Sequence, residues 1–168
     1  MIRFSLTRLQ QDAPYELILS GDSFVFQTDL GIHYSVSFSK EDITFAGCET
    51  YQFIIRKIEE KKTQHDHKVE ATILAILDEF FRSNIEILLY MCDTSDGREE
   101  IRDRLFLTWF EKYADKERFT FCRTHAIVEG QGIYFVILIE NRHPKLQAIV
   151  EDFKNKATLL TEDKPSSH

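Results

Sequence analysis

The sequence predicts an α+β fold: a mixed, largely antiparallel sheet flanked by helices on both faces, in the order strand, strand, strand, helix, strand, helix, strand, strand, helix. Three observations carry that prediction. Ile32, Tyr34, Val36 and Phe38 alternate with His33, Ser35, Ser37 and Ser39, which is the period of a half-buried strand. Val69, Ile73, Ile76, Leu77 and Phe80 recur at helical spacing as one stripe. The run from Ile133 to Ile139 is apolar or aromatic throughout, so its strand is central or lies in an interface.

Taken in order, residues 15–19 read as a short strand. Residues 23–28 and 32–38 read as a hairpin around Asp29-Leu30-Gly31. Residues 50–58 add a strand with Tyr51, Phe53 and Ile55 on one face. The first helix follows, with Thr63 or Asp66 as its cap and Asn84 at its end. Residues 85–91 are short and nearly all apolar, as a strand covered on both faces is. A second helix is expected from Asp96 to Tyr113, with Ile101, Leu105 and Trp109 in one row. Strands at 118–128 and 132–140 then join through Gly130-Gln131-Gly132. Apolar parity switches between Phe119 and Phe121 and Ala126 and Val128, which predicts a bulge near Arg123 to His125. A third helix from Pro144 to Ala157 carries Leu146, Ile149, Val150 and Phe153. The strand–helix–strand unit in the middle is expected to cross over right-handed.

The length of 168 residues fits a single globular domain, expected over 1–160, with a polar, disordered tail at 161–168. Hydrophobic residues make up 43% of the chain and only 6 are Gly and 3 Pro, which excludes the disordered class. The net charge of −7 is spread evenly, with 13 acids against 9 bases in residues 1–84 and 15 against 12 in 85–168. No basic half or run offers counterion release to a phosphate backbone or an anionic bilayer, so neither nucleic acid nor membrane is an expected partner. Met1 to Ser5 lacks the apolar core of a signal peptide, and no window approaches a membrane span. Cys48, Cys92 and Cys122 are odd in number and form no C-x-x-C pair, which reads as three reduced, mostly buried thiols. The expected compartment is the cytoplasm.

Chemistry concentrates at one turn. Asp93, Thr94, Ser95, Asp96, Gly97 and Arg98 follow a buried strand and open a helix. Strand carboxyl ends and helix N-termini both favour ligands, so these six are the candidate ligand-binding residues for a small anion. A competing reading is purely local. Asp96 and Glu99 have capping-box spacing, and the acids Asp93 and Asp96 repel an anion. His65-Asp66-His67 has two ligand-type imidazoles, but residues two apart do not face each other on a helix, so no metal site is assigned. Arg123 and His125 could enter a cleft only if the expected bulge redirects them. No nucleophile elbow, phosphate-binding loop or dinucleotide motif is present, and no cofactor is implied.

Two resemblances arise from these residues. V-E-A-T-I-L-A-I-L-D-E-F-F over 69–81, Leu89 to Arg98, Arg104-Leu105-Phe106 and Trp109-Phe110 resemble an uncharacterised family of small bacterial proteins, chiefly from Bacteroidetes, classed as a domain of unknown function. That resemblance implies a bacterial cytoplasmic protein and no catalytic residues. The order of three strands, helix, strand, helix and two strands is similar to the later part of an acyl-CoA-dependent N-acetyltransferase domain. In that fold the strand-to-helix loop carries a glycine-rich pyrophosphate motif. Glu59 to Asp66 has no glycine and opens with two acids.

Three functional readings follow. The leading one is a binding or protein-interaction module with a possible protein partner or homodimer. The second is an acyltransferase-like or hydrolytic enzyme with its site at the 92–98 turn. The third is an acidic immunity or antitoxin-like protein, supported by the −7 charge alone.

Overall fold

A computed structural model describes residues 2–59, 66–93, 108, 111 and 117–162. Ser5 opens its first helix, α1 (Leu6–Asp12), by accepting the Arg8 N–H at 3.3 Å. Seven residues with one buried side chain, Leu9, leave no periodic stripe, so pattern reading passes over this helix. Strands β1 (Ile18–Ser20), β2 (Ser23–Gln27), β3 (His33–Lys40) and β4 (Thr50–Lys57) follow. Then come α2 (His67–Ser83), β5 (Ile87–Asp93), β6 (Phe119–Val128), β7 (Gln131–Glu140) and α3 (Leu146–Glu162). The strands form a seven-stranded sheet in the order β1-β2-β3-β4-β5-β7-β6. Neighbours β1–β2, β2–β3, β5–β7 and β6–β7 are antiparallel, while β4 and β5 are parallel across α2. The α+β class and the mixed, largely antiparallel sheet are those the sequence predicts. The expected helix at 96–113 lies outside the described residues apart from Thr108 and Glu111. No described helix is long and apolar enough to cross a membrane.

Packing divides the chain into two units, Met1–Ser39 with Phe53–Ile85 and Lys40–Gln52 with Glu86–His168. In the first unit α2 starts at Asp66, which accepts the Lys68 N–H at 2.9 Å, and stops at Asn84, whose N–H reaches Phe80 O at 2.9 Å. Its buried side includes Val69, Ile73, Ile76, Leu77 and Phe80, the stripe seen in the sequence. Phe80 stacks on Phe38 at 4.9 Å between centroids, and Phe38 meets Phe53 at 5.3 Å. Glu79 on α2 is buried at 1% exposure and is held by Arg8 of α1.

In the second unit β7 lies between β5 and β6, so the all-apolar run at 133–139 is central in the sheet. Val136 to Ile139 are buried on both faces. One face is covered by α3, whose Ile149 and Phe153 join Phe45, Ile87, Leu89, Ile137 and Ile139 in a core.

Four local expectations need correction. The strand expected at 15–19 reduces to β1, and Tyr15 and Leu17 are instead buried in irregular chain. Their backbone is satisfied by Gln10, which donates to Tyr15 O at 3.0 Å and accepts the Leu17 N–H at 2.8 Å. No bulge interrupts β6: its register with β7 runs unbroken from Phe119↔Glu140 to Val128↔Gln131. The parity switch arises because β6 buries Phe119 on one face and Ala126 on the other. The connection is also tighter than Gly130-Gln131-Gly132. Gln131 belongs to β7, and the turn is Glu129-Gly130, with φ of 52° and 80°. Finally, α3 runs past Ala157 to Glu162.

Candidate functional site

The second unit contains a partly open apolar cavity of about 70 Å³. Its floor is a cross-strand row. Met91 of β5 stands opposite Phe135 of β7, and Phe135 stands opposite Thr124 of β6. Side chains directly opposite on antiparallel strands share a face, so these three form one continuous surface, with Leu89 next along β5. Phe153 and Ala157 of α3 make one wall.

The cavity has a simple cause. On α3 the apolar stripe steps from Leu146 through Ile149, Val150 and Phe153, and the next position on that face is Ala157. Phe153 is 5% exposed and fills its place in the core, whereas a methyl group cannot reach the Met91–Phe135–Thr124 row. The row is left half-covered.

The roof is the 41–48 connection between β3 and β4, which contributes Ile43 and Phe45. Phe45 bridges to Cys48 around a tight turn at Ala46-Gly47, where φ is 52° and 73°. Gly47 adopts that conformation freely, whereas Ala46 is strained in it. The Ala46 N–H donates to Asp152 Oδ2 on α3 at 2.7 Å, which ties the turn down. Lys156 completes the clamp. Its Nζ donates to Asp152 Oδ2 at 2.9 Å and to Thr44 O, and it sits over the Phe45 ring at 5.1 Å. The Ala46 N–H and then Lys156 hold the Asp152 carboxyl below the ordinary aspartate range.

At the mouth the two charged lining residues are unequal. Lys156 is already neutralised by Asp152. Glu41 donates its backbone N–H to Thr50 O at 2.9 Å, but its carboxylate makes no ion pair among the described residues. The arrangement suits an apolar group inside and a positive or donor group outside.

Of the residues singled out from the sequence, Asp93 is the last residue of β5, its backbone opposite Ile133. Thr94, Ser95, Asp96, Gly97 and Arg98 lie outside the described residues. His65 also lies outside them, whereas Asp66 is the α2 cap and accepts from the Tyr15 hydroxyl. Arg123 and His125 do not enter the cavity. With β6 unbroken they alternate with Thr124 onto the opposite face, where Arg123 pairs with Glu111 at 2.9 Å and His125 packs on Tyr134 at 4.5 Å. Sequence reading missed the pocket because its roof lies in a connection without periodicity. Ala46-Gly47 between Phe45 and Cys48 was the one local sign of a turn there.

A family model matches residues 65–155, more than half of the chain. The chain belongs to DUF6169, a family of unknown function. The family match spans the pocket floor and Phe153 but not Glu41, Ile43, Phe45 or Lys156. No curated protein matches the chain, and no solved structure does.

Proposed function

We propose that this member of the family is a small-ligand binding module of the bacterial cytoplasm, and that the pocket under the 41–48 turn is its recognition element. The observation that carries the reading is the Met91–Phe135–Thr124 row, an apolar surface that α3 leaves half-covered at Ala157. Apolar lining with few polar groups at the mouth is the usual form of a small-molecule site. Cys48 and Cys122 are free thiols, which supports a reducing compartment.

Methyl labelling tests this directly. The chain has two methionines, Met1 and Met91, so [methyl-¹³C]methionine yields a reporter inside the pocket and an internal control at the terminus. Isobutanol is expected to shift the Met91 signal saturably with a millimolar dissociation constant and to leave Met1 in place. Ala157→Leu is expected to fill the space and abolish the shift. A Met91 signal that moves no more than Met1 removes the reading.

A second reading, an acyltransferase-like or hydrolytic enzyme with its site at the 92–98 turn, is supported by element order alone, with β4, α2 and β5 followed by the β6–β7 pair. Acetyl-CoA raising the melting temperature by several degrees would favour it, and no shift at millimolar acetyl-CoA would count against it.

A further inference from the structure

We infer that the pocket selects a small branched aliphatic amine: a three- or four-carbon branch in the cavity with its ammonium group at Glu41. This inference rests on the binding reading above and adds the chemistry of the head group. Size sets the apolar part. The cavity of about 70 Å³ is roughly half the ~150 Å³ in which a benzene ring is held, which matches a short branch and leaves no room for a fused or substituted ring. Ile43, Met91, Phe135 and Phe153 offer that branch dispersion contacts and no polar partner.

Charge sets the head group. Three ionic side chains stand at or behind the mouth: Glu41, Lys156 and Asp152. Lys156 and Asp152 satisfy each other at 2.9 Å, and Asp152 also accepts the Ala46 N–H. Drawing Lys156 away to receive a carboxylate would leave Asp152 without its counter-ion and Thr44 O without its donor. Glu41 has no such commitment, so among the described residues the mouth carries one unmatched negative charge. A cation gains there, a neutral donor gains less, and an anion is repelled.

Three probes sharing an isobutyl group separate these outcomes: isobutylamine, isobutanol and isovalerate, titrated at pH 7 and low salt against the Met91 methyl signal. Isobutylamine is expected to bind roughly threefold tighter than isobutanol, in line with an exposed ion pair, and isovalerate weakest. In Glu41→Gln the ratio of amine to alcohol affinity should fall to about one, and in Glu41→Lys the order should invert towards isovalerate. Equal binding of all three probes to the native chain overturns the amine assignment while leaving the pocket as a binding site. An amine preference that survives in Glu41→Gln also overturns it. If none of the three moves the Met91 signal, the binding reading falls and this inference falls with it.

Discussion

Arg8 closes on Glu79 with two nitrogens, Nε 2.7 Å from Oε2 and Nη2 2.7 Å from Oε1. The Ser5 N–H at 2.9 Å, the Ser83 hydroxyl at 2.7 Å and, further off, Arg82 Nη1 at 3.8 Å surround a carboxylate that is 1% exposed. Through this group α1 is fastened to α2. Removing Arg8 leaves the buried carboxylate with only the more distant Arg82 Nη1, at 3.8 Å, as a counter-ion; breaking a fully buried pair typically costs about 3–5 kcal/mol. Because the Arg8 side chain is 41% exposed and Arg82 remains nearby, Arg8→Ala is expected to fall below that range and still lower the urea midpoint clearly. Urea denaturation measures it, and a loss under 1 kcal/mol would show that the pair does not hold the helices together.

Glu79 also sets the acid limb of stability. Burial alone would raise its pKa, but Arg8, Ser83 and the Ser5 N–H outweigh burial and hold it down at about 2. The folded value lies below the ordinary 4.5, so the unfolded chain binds the proton first as pH falls. The stabilisation is complete above 4.5 and is lost progressively towards pH 2. Glu79→Gln should flatten the stability profile in that window. An unchanged slope would assign acid unfolding to other carboxylates.

His143 supplies a separate, milder dependence. Its Nδ1 accepts the Lys145 N–H at 3.0 Å and so caps the turn that leads into α3. Burial pushes the ring below its ordinary 6.5, with Glu86 and Glu140 opposing the shift and Lys145 adding to it. A protonated Nδ1 cannot accept that bond. The contribution is therefore full above pH 6.5 and is lost as pH falls through the folded value. His143→Asn keeps an acceptor without the titration, so its melting temperature should vary less than the parent's between pH 5 and 7. Parallel profiles for the two proteins would rule the cap out as the source.

Thr50 is 0% exposed, and its hydroxyl has no hydrogen-bond partner among the described residues. An orphaned buried hydroxyl costs about 1–3 kcal/mol, and an apolar group of the same shape removes the cost. Thr50→Val is expected to raise stability by about 1 kcal/mol, read as a higher urea midpoint at unchanged slope. A destabilised variant would mean that the hydroxyl finds a partner in solution.

The β6–β7 turn places Glu129 at a φ of 52°, where a glutamate is strained and asparagine is tolerated. Glu129→Asn should stabilise by about 0.5 kcal/mol. A loss instead would indicate that the Glu129 side chain makes a compensating contact.

How much of this was legible beforehand varies element by element. α2 was readable along its length and to its end at Asn84, with Thr63 or Asp66 open at its start, because a five-residue apolar stripe is local chemistry repeated at a fixed period. β2, β3, β4 and α3 were readable for the same reason. α1 was not, since one buried leucine makes no period. The bulge at Arg123 to His125 was a false inference, because β6 buries Phe119 on one face and Ala126 on the other without changing register.

The sequence alone determined the α+β class, the mixed sheet and most of its elements, and narrowed the 133–139 strand to the sheet interior or an interface, because burial writes itself into residue spacing. Only the tertiary structure decided that Met91, Phe135 and Thr124 share one row, that Ala157 leaves that row half-covered, and that Asp152 ties down a turn 106 positions away in the chain. A pocket is a relation between surfaces distant in sequence. Its walls carry no local period, and its volume depends on what one helix fails to fill.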